Sequence, residues 1–402
     1  MLRGHSRAPQ HLAPDRSAGS ANRSADRGPQ APLGIKGKSV DGDRAARRLM
    51  FDRYRWQRGA ARLLDWSHAV GKCQWAPIKV AAGVGVAVYS EGEARRSALE
   101  GVQRCGAVWV CPVCAARISE VRRAELNALL AWARAEGLHP VMLTLTARHG
   151  EGDGLADLLE RLKAAKKRLH QLRPWRDLGD EGTVTATEVT GGGRSGWHPH
   201  LHMVVLLRAA SPEAALAAAR GLRPAWMTAL RSAGLDGAAA AFDAQGASAA
   251  GAYVTKWGAA EEMTLTSGKR GRAGGGRSPL QLLAAATDEG DRRAAALWRE
   301  YAAAFRGRRQ IVWSRGLKDR AGINAVSDED AAAGEAEPPA EVVRELVAMI
   351  EHRTWGEGAN AARHRRGRIR AAAEDEGAAG VWRVVADGGA DPRPERPPDV
   401  IE

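Results

Sequence analysis

Histidines alternate with other residues between Trp197 and Leu207, and this alternation constrains the fold more than any other feature of the chain. Successive side chains of a strand point to opposite faces, so His200 and His202 share one face. Bulky apolar residues such as Leu201 would anchor the strand through the other face. The segment therefore predicts a strand that presents two imidazoles side by side.

A second predicted strand, residues 183–190, precedes the first, and the glycine-rich run 191–196 joins them. Such a connection is typical of a hairpin. Glu188 would place a carboxylate beside the imidazoles if the register of the two strands brings it level with them. Two imidazoles and one carboxylate leave positions of a metal ion open for a substrate oxygen. Ordinary hydrogen-bonding roles for these histidines are the alternative, and the local sequence leaves both open.

The spacing of apolar residues along the whole chain predicts an α+β protein. Further predicted strands cover residues 84–88, 140–146 and 310–313, and predicted helices cover residues 44–66, 115–135, 155–169, a segment starting at Ser211, a segment including 253–257, residues 298–305 and residues 342–350. No internal repeat is present in the sequence.

Composition bounds the class of protein. The chain has 402 residues, 60 of them Lys or Arg and 47 Asp or Glu, and its 44% of hydrophobic residues excludes a wholly disordered protein. No run approaches the roughly 18 to 20 apolar residues of a membrane span, and the polar N-terminus has no apolar signal-peptide core. We therefore expect a soluble, cytoplasmic protein without membrane contact. The basic balance favours a polyanion, most simply nucleic acid, as partner.

Charge and composition divide the chain into four predicted parts. Residues 1–43 predict a flexible basic arm, because they are rich in Arg, Ser, Gly and Pro without a lasting apolar period. Residues 44–136 predict a helical segment that contains the cysteines, and residues 137–326 predict the main sheet domain. Residues 327–402 carry 10 basic and 17 acidic side chains and predict an acidic linker and a partly disordered tail.

The four cysteines, Cys73, Cys105, Cys111 and Cys114, predict a metal site. Four cysteines in a cytosolic chain are few for a disulfide framework. Cys111-Pro-Val-Cys114 is a turn in which two thiolates grip one ion, and the other two cysteines complete a tetrahedral set. Because four thiolates leave no open position, a bound Zn²⁺ would be structural. Free thiols, with Cys73 merely buried, are the alternative.

Tyr253 and Lys256 form a further candidate site. Residues i and i+3 of a helix share a face, so the phenol would lie near the ammonium group. The pKa of an unperturbed tyrosine is about 10, and a nearby cation would favour the phenolate or neutralise charge on an attacked phosphate. Taken alone, the pattern more often marks an exposed helix with a packed tyrosine and a solvated lysine.

The order of these motifs resembles the HUH endonuclease superfamily, in particular the rolling-circle replication initiators (Rep) of plasmids. A Thr-Leu-Thr strand comes first, the His-Leu-His strand second and the Tyr-x-x-Lys helix third. The segments Arg104-Cys-Gly-Ala-Val-Trp-Val-Cys-Pro-Val-Cys114, Trp298-Arg-Glu-Tyr and Arg308-Arg-Gln-Ile-Val-Trp-Ser314 also look like Rep segments from plasmids of GC-rich bacteria. The resemblance covers roughly residues 70–320.

The resemblance implies a role for each candidate residue. His200, His202 and, less securely, Glu188 would hold a catalytic Mg²⁺ or Mn²⁺, Tyr253 would be the nucleophile, and Lys256 would orient the phosphate. The implied fold is an antiparallel sheet with helices on one face and the histidine face open, preceded by the zinc-binding segment. The implied reaction nicks and rejoins single-stranded origin DNA through a 5′-phosphotyrosine and leaves a 3′-OH primer.

One position departs from the family pattern. Some plasmid initiators carry a glutamate one helical turn before the tyrosine, where it serves the terminating cut, whereas Ala249 stands here. The route of termination therefore stays open.

Two tryptophans and two basic clusters are candidate DNA contacts. Trp197 and Trp257 flank the two motifs and could stack on bases of a single strand. Clusters that include Lys166 and Lys167, and Lys269 and Arg270, are candidates for phosphate contacts, although a solvated charged face explains them almost as well.

Two other functional hypotheses remain at this point. A single-tyrosine transposase or a mobilisation nickase would use the same chemistry, and a non-catalytic zinc-dependent DNA-binding protein would use none of it. For the replication hypothesis the expected partners are single-stranded and origin DNA, with a host helicase or polymerase as a further candidate. The sequence does not determine the oligomeric state.

Overall fold

The computed structural model describes residues 40–65, 67–79, 83–193, 196–251, 276–333, 342–356 and 361–389, and the fold below concerns these ranges. The strands are β1 (Val84–Glu91), β2 (Ala94–Glu100), β3 (His139–Thr146), β4 (Asp180–Gly193), β5 (Gly196–Leu207), β6 (Phe242–Gln245), β7 (Ile311–Trp313) and β8 (Val343–Ile350). The longer helices are α1 (Val40–Leu64), α2 (Pro112–Ala135), α3 (Leu155–Gln171), α4 (Arg173–Leu178), α5 (Pro212–Arg220), α6 (Arg223–Ser232), α7 (Pro279–Ala284), α8 (Arg292–Ala304), α9 (Leu317–Arg320), α10 (Asp328–Ala333), α11 (His352–Gly356) and α12 (Arg366–Asp387).

An antiparallel sheet of five strands, in the order β6-β3-β5-β4-β7, forms the centre of the protein. One of its faces is mainly apolar and packs mainly on α3, α5 and α6. Helix α3 suits this face because its buried residues, Leu155, Leu158, Leu159, Leu162, Ala165 and Leu169, recur at helical spacing. The predicted α+β class and antiparallel sheet are confirmed.

The opposite face, which carries the histidines, is divided into two halves. Its lower half is apolar, and residues such as Met142, Val204 and Leu206 belong to one buried cluster with Leu126 and Leu129 of α2. Its upper half carries His200 and His202 and is polar. Helices therefore lie on both faces, and the expectation of helices on one face only is wrong, because the apolar lower half also has to be removed from water.

A second, three-stranded antiparallel sheet has the order β2-β1-β8. Its core contains Val84, Val86 and Val88 of β1 together with Trp355 and residues of α12. Residues 342–356 and 361–389 are thus part of a folded unit, which differs from the predicted tail. The physical reason is that β8 completes the hydrogen bonds of the free edge of β1 while α12 covers the apolar face of β1.

The helix predicted for residues 342–350 is also wrong, because these residues form β8. Their composition suits a helix, but pairing with β1 overrides local propensity. The basic arm predicted for residues 1–43 lies outside the described residues up to position 39, and so does the end of the chain from residue 390.

Buried arginines fix α12 to the body of the protein. Arg366 is fully buried and donates hydrogen bonds to the backbone oxygen of Gln74 at 3.0 Å and to Gln57 Oε1 at 2.7 Å. Its guanidinium group also lies over the ring of Tyr54, 4.3 Å from the centroid. Glu374 accepts hydrogen bonds from the backbone and side chain of Ser97, both at 2.9 Å. Arg366 is therefore part of the internal framework of the fold.

In the part of the chain that the structure describes, no helix has the length and apolar character needed to cross a membrane.

Trp355 provides a test of the folded C-terminal unit. Its side chain is 0% exposed and its indole N–H donates to the Trp75 backbone oxygen at 2.9 Å. We expect Trp355→Ala to lower the free energy of unfolding by about 3–5 kcal/mol, measured by urea denaturation, because it leaves a large cavity. Trp382→Ala is the matched control, since that side chain is 46% exposed. Equal effects of the two substitutions would contradict a folded unit here.

Candidate metal centres and nucleic-acid cleft

Strand register brings the predicted ligand residues together. In the β4–β5 pair Glu188 stands directly opposite His200, and in the β3–β5 pair Thr144 stands opposite His202. Residues directly opposite each other in an antiparallel pair point to the same face. Glu188, His200 and His202 therefore project together from the upper half of the histidine face.

The side chains of this triad converge on one point. His200 Nε2 lies 3.3 Å from Glu188 Oε2, and His202 Nε2 lies 3.4 Å from the same oxygen. The two imidazole rings are 4.7 Å apart between centroids and almost perpendicular. The ligand atoms of all three residues lie within 4.8 Å of one another. The arrangement directs two nitrogen lone pairs and a carboxylate into one small volume.

Neighbouring polar atoms orient both imidazoles. The backbone oxygen of His198 accepts a hydrogen bond from His200 Nδ1 at 3.4 Å, and His202 Nδ1 shares a hydrogen bond with Thr144 Oγ1 at 3.2 Å. With Nδ1 engaged, Nε2 is the nitrogen left to face the carboxylate. Metal-binding histidines commonly have such a partner on the second nitrogen, which fixes the tautomer and the ring orientation.

The donor set fits a divalent cation. Two imidazole nitrogens and one carboxylate oxygen suit first-row ions such as Mn²⁺, and the three ligands leave coordination positions for substrate. Glu188 is 45% exposed in its side chain, so the site is open to solvent and to a large ligand. The triad could therefore hold the ion beside a bound nucleic-acid strand.

A histidine pair that the sequence did not single out as functional stands next to the triad. His149 Nε2 and His198 Nδ1 are 2.6 Å apart and share a hydrogen bond. Burial, together with the nearby His200 and His149, lowers the pKa of His198 to about 4, so His198 is neutral at physiological pH. His149 follows β3 in a connecting segment with no periodic pattern, so only the tertiary structure brings it here.

The four cysteines form a second cluster at the start of α2. The Sγ atom of Cys73 lies 3.4 Å from that of Cys114 and 3.8 Å from that of Cys111, and the Sγ atoms of Cys105 and Cys114 are 3.7 Å apart. A Zn–S bond of about 2.3 Å in tetrahedral geometry gives S–S separations of about 3.8 Å. Disulfide-bonded sulfurs would be about 2.0 Å apart. The cluster therefore has the dimensions of a four-thiolate zinc site.

The surroundings of the cluster also suit a structural ion. Gln57 Nε2 donates to Cys111 Sγ at 3.4 Å and to the Cys73 backbone oxygen at 3.1 Å. Hydrogen bonds from Cys105 and the other two thiols lower the pKa of the Cys114 thiol, which favours its thiolate form. Cys73, Cys111 and Cys114 are buried, which leaves solvent no route to an open coordination position on their side.

Several predicted DNA contacts are placed elsewhere. Trp197 is 3% exposed and packs in the main core, so the prediction that it stacks on bases is wrong. The reason is strand alternation, since odd-numbered residues of β5 face α3. Its ring is so close to the hairpin that a Cβ added to Gly191 would approach it to 2.4 Å.

The predicted lysines on α3 lie on the opposite side of the sheet from the triad. Lys166 is partly buried there and donates to Thr185 Oγ1 at 3.2 Å, and burial lowers its pKa. Lys167 is exposed on the same helix. The structure does not bring either of them to the histidine face. The other predicted residues, Tyr253, Lys256, Trp257, Lys269 and Arg270, lie outside the described residues.

Comparisons with known proteins show the family of the chain. A family described as "Replication protein" matches residues 96–211, which span three of the cysteines and the whole triad. A curated relative named "Protein rep", from Streptomyces lividans, is 31% identical over 323 residues, which cover 62% of this chain and 70% of the relative. The chain belongs to the Rep family of plasmid replication initiators.

Another curated relative of this Rep chain is more distant. It is named "Neomycin resistance protein", from Streptomyces cyanogenus, and it is 29% identical over 149 residues, which are 30% of this chain and 34% of the relative. No solved structure matches the chain significantly.

Substitutions should separate the two candidate metal sites. We expect the purified protein to hold about one zinc ion per chain and Cys114→Ser to lose it, because three thiolates no longer close the site. His202→Ala should keep the zinc but raise the Kd for Mn²⁺ by more than about 100-fold, because a ligand is lost. Elemental analysis and electron paramagnetic resonance titration measure the two effects. Loss of both metals in both variants would contradict two independent sites.

Thr144 tests the orientation of His202. Thr144→Val keeps the shape of the side chain but removes the hydroxyl that bonds His202 Nδ1. We expect the Kd for Mn²⁺ to rise about 10- to 100-fold. Thr185→Val is the matched control, because Thr185 lies on the other face of the sheet and bonds Lys166. If both variants bind Mn²⁺ like the unmodified protein, Thr144 has no positioning role.

Proposed function

We propose that this Rep protein nicks and rejoins single-stranded origin DNA, and so starts rolling-circle replication. The observation that carries the proposal is the convergence of His200 Nε2 and His202 Nε2 on Glu188 Oε2, at 3.3 and 3.4 Å, on an exposed part of the sheet. An open site with three such ligands suits phosphate chemistry, whereas a purely structural ion would be enclosed. Membership of the initiator family supports the same proposal.

The proposed reaction is a transesterification by Tyr253. Its phenolic oxygen attacks the scissile phosphorus, the P–O3′ bond breaks, and the phenolic proton is lost as the departing 3′ oxygen gains one. The products are a 5′-phosphotyrosine and a 3′-OH that a polymerase can extend. Because one phosphate ester replaces another, the strand can be rejoined by the reverse reaction without ATP. Lys256 is proposed to orient the phosphate and to offset its developing charge.

The triad has a defined part in this scheme. When bound, a Mg²⁺ or Mn²⁺ ion supplies Lewis-acid polarisation of the phosphate. His200, His202 and Glu188 would hold the ion, and the hydrogen bonds of Thr144 and the His198 carbonyl orient the two imidazoles for that role. The site then needs little rearrangement when DNA arrives.

The described chain that precedes Tyr253 supports its assignment. Asp243 of β6 stands opposite Thr144 of β3, and the helix that follows β6 begins at residue 247. Ala250, three residues before Tyr253, belongs to the apolar cluster on the histidine face. The helical approach to the proposed nucleophile therefore starts on the same side of the sheet as the triad.

Transposition or mobilisation would use the same proposed chemistry on other DNA. The order of motifs, with histidines before the tyrosine, is the reverse of that usual in conjugative relaxases, and the relative named "Protein rep" favours replication. In the non-catalytic hypothesis, the triad and Tyr253 would be structural. A covalent adduct separates that hypothesis from the nicking enzyme.

The decisive experiment looks for that adduct. Labelled single strands that tile both strands of the parent replicon are incubated with the protein and Mn²⁺, and the products are separated under denaturing conditions. We expect a protein–DNA adduct from one region only, and loss of at least about 1,000-fold of its formation in Tyr253→Phe, because the nucleophile is missing. Tyr89→Phe is the control, since Tyr89 lies in the other sheet. Adduct formation by Tyr253→Phe at the normal rate, or none by the unmodified protein on any strand, would refute the mechanism.

A further inference from the structure

A cavity of about 440 Å³ adjoins the triad. His200, His202 and Glu188 form part of its rim. Residues 108–112, which include Cys111, form another part of its wall. Its volume lies within the range of about 300–1,000 Å³ typical of small-molecule sites. Other lining residues come from α2, α7, α8 and the segment before β7: Ala115, Ser119, Leu280, Leu283, Trp298 and Gln310. Parts of the chain far apart in sequence thus enclose a space that none of the proposed catalytic roles uses.

The walls of the cavity are apolar and partly aromatic. Trp109 is held in place because its indole N–H donates to the Arg308 backbone oxygen at 2.7 Å and its ring packs on Phe305, 4.4 Å between centroids. Trp298 and Tyr301 also belong to the lining, although both side chains are almost fully buried. Flat, rigid apolar walls of this kind suit a flat ring, and base stacking on aromatic side chains is the usual way in which proteins hold unpaired nucleotides.

One buried polar atom of a residue that lines the cavity, Gln310, lacks a partner among the described residues. Gln310 Nε2 donates to Ser119 Oγ at 3.3 Å, which leaves Oε1 as the free end of the amide. Oε1 is buried and has no hydrogen-bond partner among the described residues. A buried carbonyl oxygen without a donor is unfavourable, so a ligand that brings an N–H group would gain from filling the space. Every nucleobase carries such a donor on the edge that pairs in a duplex, but at a different position of the edge, so an acceptor at one fixed place favours some bases over others.

The surroundings favour a nucleic-acid strand over a free metabolite. Val108, Trp109, Val110 and Gln310 also line a neighbouring groove of about 1,070 Å³. That groove is lined by six cationic side chains and three acidic ones, so its charge balance is positive: Arg122, Arg299, Arg306, Arg308, Arg309 and Lys318 against Asp328, Glu329 and Asp330. A polyanion that passes the triad could therefore continue along a basic path with the cavity at its side. Phosphates follow such a path while bases turn aside into apolar sites.

We infer that the cavity takes one unstacked nucleobase, from a nucleotide next to the scissile phosphate, and that Gln310 reads the edge of that base. The inference rests on the proposed nicking function for the position of the phosphate, but not for the binding of the base. It assigns a specificity residue outside the histidine and tyrosine motifs. The zinc cluster takes part indirectly, because Cys111 caps α2 and thereby positions Ala115 and Ser119 in the cavity wall.

A titration without metal tests the cavity directly. The four deoxynucleoside monophosphates and deoxyribose 5-phosphate are added separately, and tryptophan fluorescence is followed. We expect the Kd of at least one nucleotide to be about tenfold or more below the Kd of deoxyribose 5-phosphate, because only the nucleotide has a base. Equal Kd values for all five compounds would overturn the inference. This arm uses the unmodified protein and so does not depend on a variant that folds.

Gln310→Met then tests the residue, since methionine is similar in length but offers no hydrogen-bond acceptor of comparable strength. We expect the differences in affinity among the four nucleotides to shrink about 5- to 100-fold, because the buried hydrogen bond is lost. Gln171→Met is the control, because Gln171 is exposed at the end of α3. Unchanged base preference in Gln310→Met would show that Gln310 does not read the base.

A cleavage assay places the base relative to the nick. After the adduct experiment has located the cut, substrates with one abasic residue at each of the flanking positions are compared. We expect one adjacent position to lose adduct formation about tenfold or more, and Gln310→Met to remove base preference at that position alone. An equal effect of abasic residues at all positions would overturn the inference. If no adduct forms at all, the nicking function fails, whereas the titration still decides whether the cavity binds a base.

Discussion

The pairing of β4 with β5 is the interaction on which the candidate site depends. It sets Glu188 directly opposite His200, and the adjoining pair of β3 and β5 sets Thr144 opposite His202. A shift of either register by one residue would turn the partner side chain to the other face of the sheet. Trp197 secures this register, because its ring is packed against Gly191 in the hairpin and only a glycine leaves room for it.

The cysteine cluster links the candidate site to the C-terminal unit. It lies at the start of α2, whose first turns form a wall of the cavity and whose later turns cover the lower half of the histidine face. From the other side, Arg366 of α12 bonds to Gln57, which in turn bonds to Cys111 Sγ. A series of buried polar contacts thus joins α12 to the wall of the cavity.

Several charged side chains have structural roles in the folded protein. The acidic residues after position 327 are not all in a separate tail, since Asp328 pairs with Arg122 at 2.6 Å and Glu374 bonds to Ser97. Basic residues are likewise of two kinds. Arg366 is internal and holds the fold together, whereas the arginines of the groove beside the cavity face a surface that a nucleic-acid strand could follow.

Local elements and groups of similar side chains can be predicted from the sequence, because alternation, helical spacing and the Cys-Pro-Val-Cys turn act over a few residues. In this way β5, α3 and the members of both side-chain clusters were predicted correctly. The position of Glu188 opposite His200, the proximity of His149, the burial of Trp197 and the strand formed by residues 343–350 become visible in the folded protein alone. These depend on contacts between distant segments, whose energies exceed local propensity and leave no periodic trace in the sequence.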